Sequence, residues 1–302
     1  LSIKMKIFDC TNYFNEDLMY GLRLEILDKY VDKFVVAESK YSHSGEPKKL
    51  HFDINRYSKF KNKIQYIVVD EEPDDLVDLN SLSYDQAQGM KRNNSLKRIK
   101  QQYDILREGI HDADDNDLII LSDCDEIPNL ENLESLKSEK IIIFKQLLFY
   151  YKFDLYHDKM IWHGSKGCLK KNLLTFNWLR NIKNKKYKPW RLDTFFSKTK
   201  YTRIKIIENG GWHFTNIKSP EDIFMKLSNY GEHNEFEMSN IDIDKMSKLV
   251  KDKKVYFNHT ADKLNMNKYK HGHQLIKINK EQLPNYLVNN YSQFKEWFEY
   301  KI

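Results

Sequence analysis

Leu118-Ile119-Ile120-Leu121-Ser122-Asp123-Cys124-Asp125-Glu126-Ile127-Pro128 is an apolar run that ends in three carboxylates within four residues. Four consecutive apolar residues bounded by acids read as a buried strand. Strand alternation would point Asp123 and Asp125 to the same side. Two like charges packed at a sheet terminus are unfavourable unless a cation joins them. Mg²⁺ and Mn²⁺ favour carboxylate oxygens and commonly take one or two carboxylates plus substrate phosphates. The stretch therefore predicts a Mn²⁺ or Mg²⁺ site, with Asp125 the direct ligand and Asp123 contacting a nucleotide's ribose or, through water, the metal.

Outward from this strand, apolar and helical patterns alternate. Lys4 to Asp9 reads as a short strand. Asn15 is placed to cap a helix, with Glu16 and Asp17 in the first turn, where the helix dipole favours acids. Leu18, Leu22 and Ile26 mark its apolar face. Lys33 to Glu38, Ile64 to Val69 and Ile141 to Phe144 are further strands, and Asn93 to Ile110 is a polar helix. This alternation predicts an α/β fold, a single domain with a mostly parallel central sheet and Asp123 at the carboxyl end of a central strand. Ligands of such sheets bind beyond the carboxyl ends of the strands. That rule singles out Glu38 and His43, which follow the second strand, as polar contacts to a nucleotide. The chain from Phe149 to Trp190 is less regular and rich in aromatics and turns. Ser219-Pro220-Glu221-Asp222 then opens a helix that Ile223, Leu227 and Tyr230 continue. Tyr291 to Tyr300 is a last amphipathic segment.

Composition narrows the class. The 302 residues are 40% hydrophobic and 31% charged, a globular balance. No run approaches the roughly 18 apolar residues of a membrane span, and Leu1 to Lys6 lacks the apolar core of a signal peptide. The expectation is a soluble, cytoplasmic protein. Cys10, Cys124 and Cys168 form neither a disulfide framework nor a zinc pattern, and free buried thiols are expected. The net charge of +6 is scattered, so no nucleic-acid partner is expected. Lysines cluster only at Lys183, Lys185, Lys186 and Lys188, as a solvated loop or as an attraction for an anion such as a diphosphate. P-loop, dinucleotide-fingerprint, zincin, EF-hand and nucleophile-elbow patterns are all missing.

Two further segments carry potential chemistry. Gly210-Gly211-Trp212-His213-Phe214 offers glycines that allow close backbone approach, an indole for stacking and a histidine for metal or phosphate. Tyr41-Ser42-His43-Ser44-Gly45-Glu46-Pro47 lies directly after the second strand.

Taken together, the motifs resemble glycosyltransferase family 17, the β-1,4-mannosyl-glycoprotein 4-β-N-acetylglucosaminyltransferase family. Ile7-Phe8-Asp9-Cys10 with Phe14-Asn15-Glu16 is similar to that family's start, and Val31 to Glu38 and Ser42 to Gly45 are similar too. Ser122 to Pro128 matches its S-D-x-D-E-I-P motif, and Gly210 to Phe214 its G-G-W-H-F segment. The resemblance implies a GT-A-type fold, a UDP-N-acetylglucosamine donor, a divalent metal and inversion at the anomeric carbon. Where family members carry an arginine just before Ile105-Leu106-Arg107, this chain has Tyr103 and Asp104. Arg92 and Arg98 are then the substitutes for a basic donor contact.

The expected activity is transfer of a sugar, N-acetylglucosamine by resemblance, from a UDP donor to a glycan hydroxyl. Residues 1–145 would bind the nucleotide-sugar and residues 146–302 the acceptor. Trp212 joins the donor-side candidates and His213 is a further metal ligand. The base that deprotonates the acceptor is sought in the later half, at Glu232 or Glu235, with Asp193 next. The competing readings are a glycoside hydrolase with a carboxylate pair and a non-catalytic carbohydrate-binding protein.

Overall fold

The computed structural model describes residues 5–131, 140–188, 190–201, 203–229, 236–237, 239–258, 269 and 272–301. Its centre is a ten-stranded mixed sheet. Strands β1 (Ile7–Asn12), β2 (Lys33–Ser39), β3 (Ile64–Val69) and β4 (Leu118–Ser122) run parallel in the order β3-β2-β1-β4. The sheet continues through β7 (Leu155–Leu169), antiparallel to β4, then β6 (Ile141–Tyr150), β9 (Gly211–Thr215) and β5 (Glu126–Pro128). Strand β8 (Ile204–Ile207) pairs with β6, and β10 (Ile276–Lys277) with β7.

The parallel half is continuous in hydrophobicity because helices cover both its faces. Leu118 and Ile120 pack with Tyr20, Leu24 and Leu27 of α1 (Asp17–Leu27). Their neighbours Ile119 and Leu121 pack with Ile99 and Tyr103 of α2 (Tyr84–Asp104), and with Phe176 and Leu179 of α3 (Phe176–Asn181). Ser122 ends β4 between β1 and β7, so Asp123 does follow a central strand.

Several local expectations need correction. Asn15 is not the cap of α1: it sits at φ 147°, and Glu16 holds the cap position. Helix α2 begins at Tyr84, nine residues before the predicted start, with the Ser83 amide held by the Gln86 side chain at 3.3 Å. Its C-terminal part tightens into a 3₁₀ turn over Ile105–Ile110. The region after Phe149 contains the fifteen-residue strand β7. Among the described residues, no helix is long and apolar enough to cross a membrane. Cys10, Cys124 and Cys168 are buried free thiols, as expected.

The double glycine lets neighbouring backbone approach closely within the sheet. A Cβ on Gly210 would stand 2.4 Å from the Lys145 nitrogen, and one on Gly211 2.1 Å from the Ile127 oxygen. Gly211 also has φ 114°, a region that L side chains avoid. Gly211→Ala is expected to cost at least about 2 kcal/mol, from the backbone conformation and the clash together. Urea unfolding measures it, and an unchanged midpoint would remove the explanation.

Candidate active site

The β4–β5 turn carries the acids. The Glu126 amide donates to the Asp123 carbonyl at 3.0 Å, and the Asp123 amide returns a bond to Glu126 Oε2 at 3.0 Å. Arg23 of α1 fixes this turn from below. Its guanidinium forks onto both oxygens of Asp9 in β1 and donates to the carbonyls of Glu126 and, at 3.4 Å, Asp123. Arg23 and Asp9 are fully buried.

Because β4 has ended, strand alternation no longer governs Asp123 and Asp125, and the two diverge. Asp123 Oδ1 accepts from the Tyr103 hydroxyl. The Arg180 guanidinium stands over the Tyr103 ring, 4.9 Å from its centre. Asp123 opens on a small cavity of about 30 Å³ with His43, Lys48 and Asn12. Asp125 opens on a neighbouring cavity of about 190 Å³ with Glu16, Lys218, Asp222 and Lys226. Glu16 borders both. A larger cavity, about 640 Å³, is a groove beside the end of α2 that contains none of these acids.

Pairing of β5 with β9 sets Glu126 opposite His213, and the Phe214 amide donates to the Asp125 carbonyl at 2.9 Å. His213 Nε2 thereby comes within 3.4 Å of Asp125 Oδ1. The other oxygen, Oδ2, takes Lys226 Nζ at 3.2 Å. Lys226, from α5 (Pro220–Asn229), also reaches Glu16 Oε1 at 3.0 Å. Trp162 of β7 packs its ring against His213, 4.6 Å between centres, and donates its indole N–H to Glu126 Oε1 at 2.6 Å. His213 Nδ1 is buried without a hydrogen-bond partner among the described residues.

Burial alone would raise the Asp125 carboxyl, but Lys226 and then His213 hold it well below the usual carboxylate range. Burial would lower His213, yet Asp125 raises it. Lys226 is raised likewise: its two carboxylates outweigh desolvation. Burial, reinforced by the Asp123 charge, pushes Glu126 up to about 7. The site is thus an array of opposed charges in a poorly solvated turn.

Among the described residues no group of three or more His, Cys, Asp or Glu is arranged to hold a metal ion, and Asp125 with His213 is a pair of potential ligands. Two cis ligands of an ion at about 2.1 Å lie about 3 Å apart, close to the 3.4 Å between His213 Nε2 and Asp125 Oδ1. Lys226 has Glu16 as a second counter-ion beside Asp125.

The other predicted residues are dispersed. His43 joins Asp123 at the small cavity and contacts Gln102 Oε1 at 3.0 Å. Arg98 lies beneath the same loop, close to Gly45, and is paired with Glu72. Arg92 is exposed on α2. Trp212 faces away from His213 into the core, with its indole N–H on the Gln282 carbonyl at 2.7 Å. Trp162 stands on the other face of β9, against His213. Asp193 is paired with Arg191 and Lys200, which hold its carboxyl down to about 2, and it lines neither cavity. A carboxylate so stabilised is a poor proton acceptor. Glu232 and Glu235 lie outside the described residues.

Glu38 is buried and occupied. It accepts from Lys48 Nζ at 2.6 Å, the amides of His51 and Phe52 at 2.9 and 3.0 Å, and the Tyr66 hydroxyl at 3.0 Å. It fixes the loop that brings Lys48 to the Asp123 cavity. Glu38→Ala is expected to cost about 2–4 kcal/mol, since it strands a partly buried ammonium and two amides. Chemical denaturation tests this, and wild-type stability would refute the anchoring role.

Sequence reading missed Lys226, Glu16, Trp162, Arg180 and Arg23. One signal was present: Lys226 follows Ile223 by three residues, so a cation occupies the apolar stripe of α5.

The model of the family described as glycosyltransferase family 17 matches residues 1–298, nearly the whole chain. Comparison with curated proteins gives no match.

Proposed function

Because the chain belongs to glycosyltransferase family 17, we propose that it moves N-acetylglucosamine from UDP-N-acetylglucosamine to a glycan hydroxyl, with Mn²⁺ or Mg²⁺ and inversion of the anomeric centre. The observation that carries this reading is the convergence of Asp125 and His213 beside Asp123, beyond the carboxyl end of a central parallel strand. The parallel order β3-β2-β1-β4 followed by an antiparallel β7 supports a GT-A-type assignment.

Asp125 and His213 would hold the cation. Bound there, it supplies charge neutralisation for the departing diphosphate. Lys226 and Lys218 add fixed positive charge to the same cavity. His43 and Lys48 are the donor contacts on the Asp123 side. Trp162 walls off water behind His213. Glu232 and Glu235 stand as base candidates on the sequence argument alone. Family membership favours transfer over the hydrolase and the simple binding protein.

The test is UDP release over a panel of UDP-sugars, with and without Mn²⁺, for the wild type and for Glu232→Gln and Glu235→Gln. UDP-N-acetylglucosamine with Mn²⁺ should give the highest rate. Undiminished release in EDTA would sink the metal, and sugar release without any nucleotide would reinstate the hydrolase.

A further inference from the structure

The four most exposed large apolar side chains among the described residues are Trp190, Leu192, Phe195 and Phe196, at 71–91%. All lie within seven residues of chain, around the short helix α4 (Asp193–Phe196). Large apolar groups gathered on a surface mark a contact site.

Their surroundings specify the contact. Residues 183–200 carry seven basic groups and one acid, Asp193. Asp193 pairs with both Arg191 and Lys200. Lys183, Lys185, Lys186, Lys188 and Lys198 are exposed, and none pairs with a carboxylate among the described residues. Lys188 lies 5.0 Å over the Trp190 ring. Lys188 therefore shares the surface of Trp190, and Lys185 lies 5.9 Å over the ring of Tyr187 beside them in the chain. None of the five lines either acid cavity, so the diphosphate attraction considered from the sequence does not account for them.

A free phosphate or nucleotide would satisfy the lysines and leave the apolar groups in water. A bilayer with anionic headgroups satisfies both: aromatic and aliphatic side chains enter the headgroup–acyl boundary while lysines meet the lipid charge. We propose that the loop spanning residues 183–200 docks this protein onto an anionic lipid surface.

The loop is fastened beside the candidate active site. The Lys183 amide donates to the Thr199 carbonyl at 2.9 Å, and the Trp178 indole to the Lys198 carbonyl at 2.6 Å. At its base, the buried Lys166 holds the carbonyls of Arg180 and Ile182 at 2.7 Å each. Arg180 in turn covers Tyr103, the partner of Asp123. Docking would bring the Asp123 side of the protein to the membrane, whatever donor it uses.

Co-sedimentation of the full chain with vesicles tests the proposal. Phosphatidylcholine vesicles are compared with vesicles in which about one-third of the lipid is phosphatidylglycerol, the anionic probe. The wild type should bind the anionic vesicles, and raised salt should weaken that binding. Lys185→Glu/Lys186→Glu/Lys188→Glu should bind about 100-fold more weakly or worse. Trp190→Ser/Phe196→Ser should also lose vesicle binding. Both variants alter exposed side chains and should melt with the wild type. No sedimentation with anionic vesicles, or equal sedimentation of both variants, overturns the proposal. So does a wild-type dimer that Trp190→Ser/Phe196→Ser converts to monomer without any effect of lipid, which would make the patch a protein interface.

Discussion

Asp125→Asn is expected to lower sugar transfer by about 10²–10³-fold or more, because charge neutralisation by a bound cation is worth several kcal/mol and each 1.4 kcal/mol is tenfold. Asparagine keeps the size of the side chain and leaves the Phe214 amide bonded to the backbone carbonyl. What disappears is the anion facing both His213 and Lys226. Added Mn²⁺ should restore little, since the neutral amide is a weaker ligand for a hard cation. The variant is not silent in folding. Lys226 is buried, and removing one of its two carboxylates should cost about 1–3 kcal/mol. UDP release titrated with Mn²⁺, beside a thermal melt, separates the two effects. Wild-type turnover of Asp125→Asn in EDTA would eliminate both the residue and the metal from the mechanism.

The legible part of the site consists of residues whose positions follow from a single strand. Leu118 to Leu121 is readable because a strand covered on both faces must be apolar throughout, and whatever follows it stands at the sheet edge. That places Asp123 and Asp125 without any knowledge of the rest. Their orientation is not readable in the same way, because it depends on the turn after Ser122 and on the strand that pairs with Glu126. The choice within β9 was undetermined for a related reason. Alternation puts Trp212 and His213 on opposite faces, but only the sheet order tells which face is the site. Trp212 shares the core face with Phe214, and His213 takes the other.

Lys226, Glu16 and Trp162 illustrate a different limit. Lys226 meets Glu16 across 210 residues of chain and Asp125 across 101. No local period encodes such a meeting, and only the odd cation in the stripe of α5 hints at it. Trp162 belongs to a strand whose exposed and buried residues do not alternate regularly, so its periodicity was lost among the aromatics. The start of α2 was missed although its signal was present. Ser83 and Gln86 have capping-box spacing, but the helix they open is too polar along most of its length to show an apolar stripe.

Arg23→Met should have the largest effect on stability. Arg23 is buried under the β4–β5 turn, and four of its contacts converge from β1 and the turn itself. Removing one partner of a buried ion pair leaves the other charge uncompensated, at a cost of about 3–5 kcal/mol. Here Asp9 would be stranded, and the carbonyls of Asp123 and Glu126 would lose a donor as well. For a chain of this size the melting temperature should fall by roughly 6–15 °C. Lysine is no substitute, since a point charge cannot reproduce a fork that grips a carboxylate on one side and a peptide carbonyl on the other. The second half of the cycle is more informative. Asp9→Leu/Arg23→Met removes both charges together, and replacing a buried pair by apolar groups is often close to neutral. The double variant should therefore recover much of the lost stability. It should not recover transfer, because the turn that aims Asp123 and Asp125 still lacks its donor. If the double variant regains both, the pair serves the core alone. If Arg23→Met melts with the wild type, the buried fork is not what holds the acids in place.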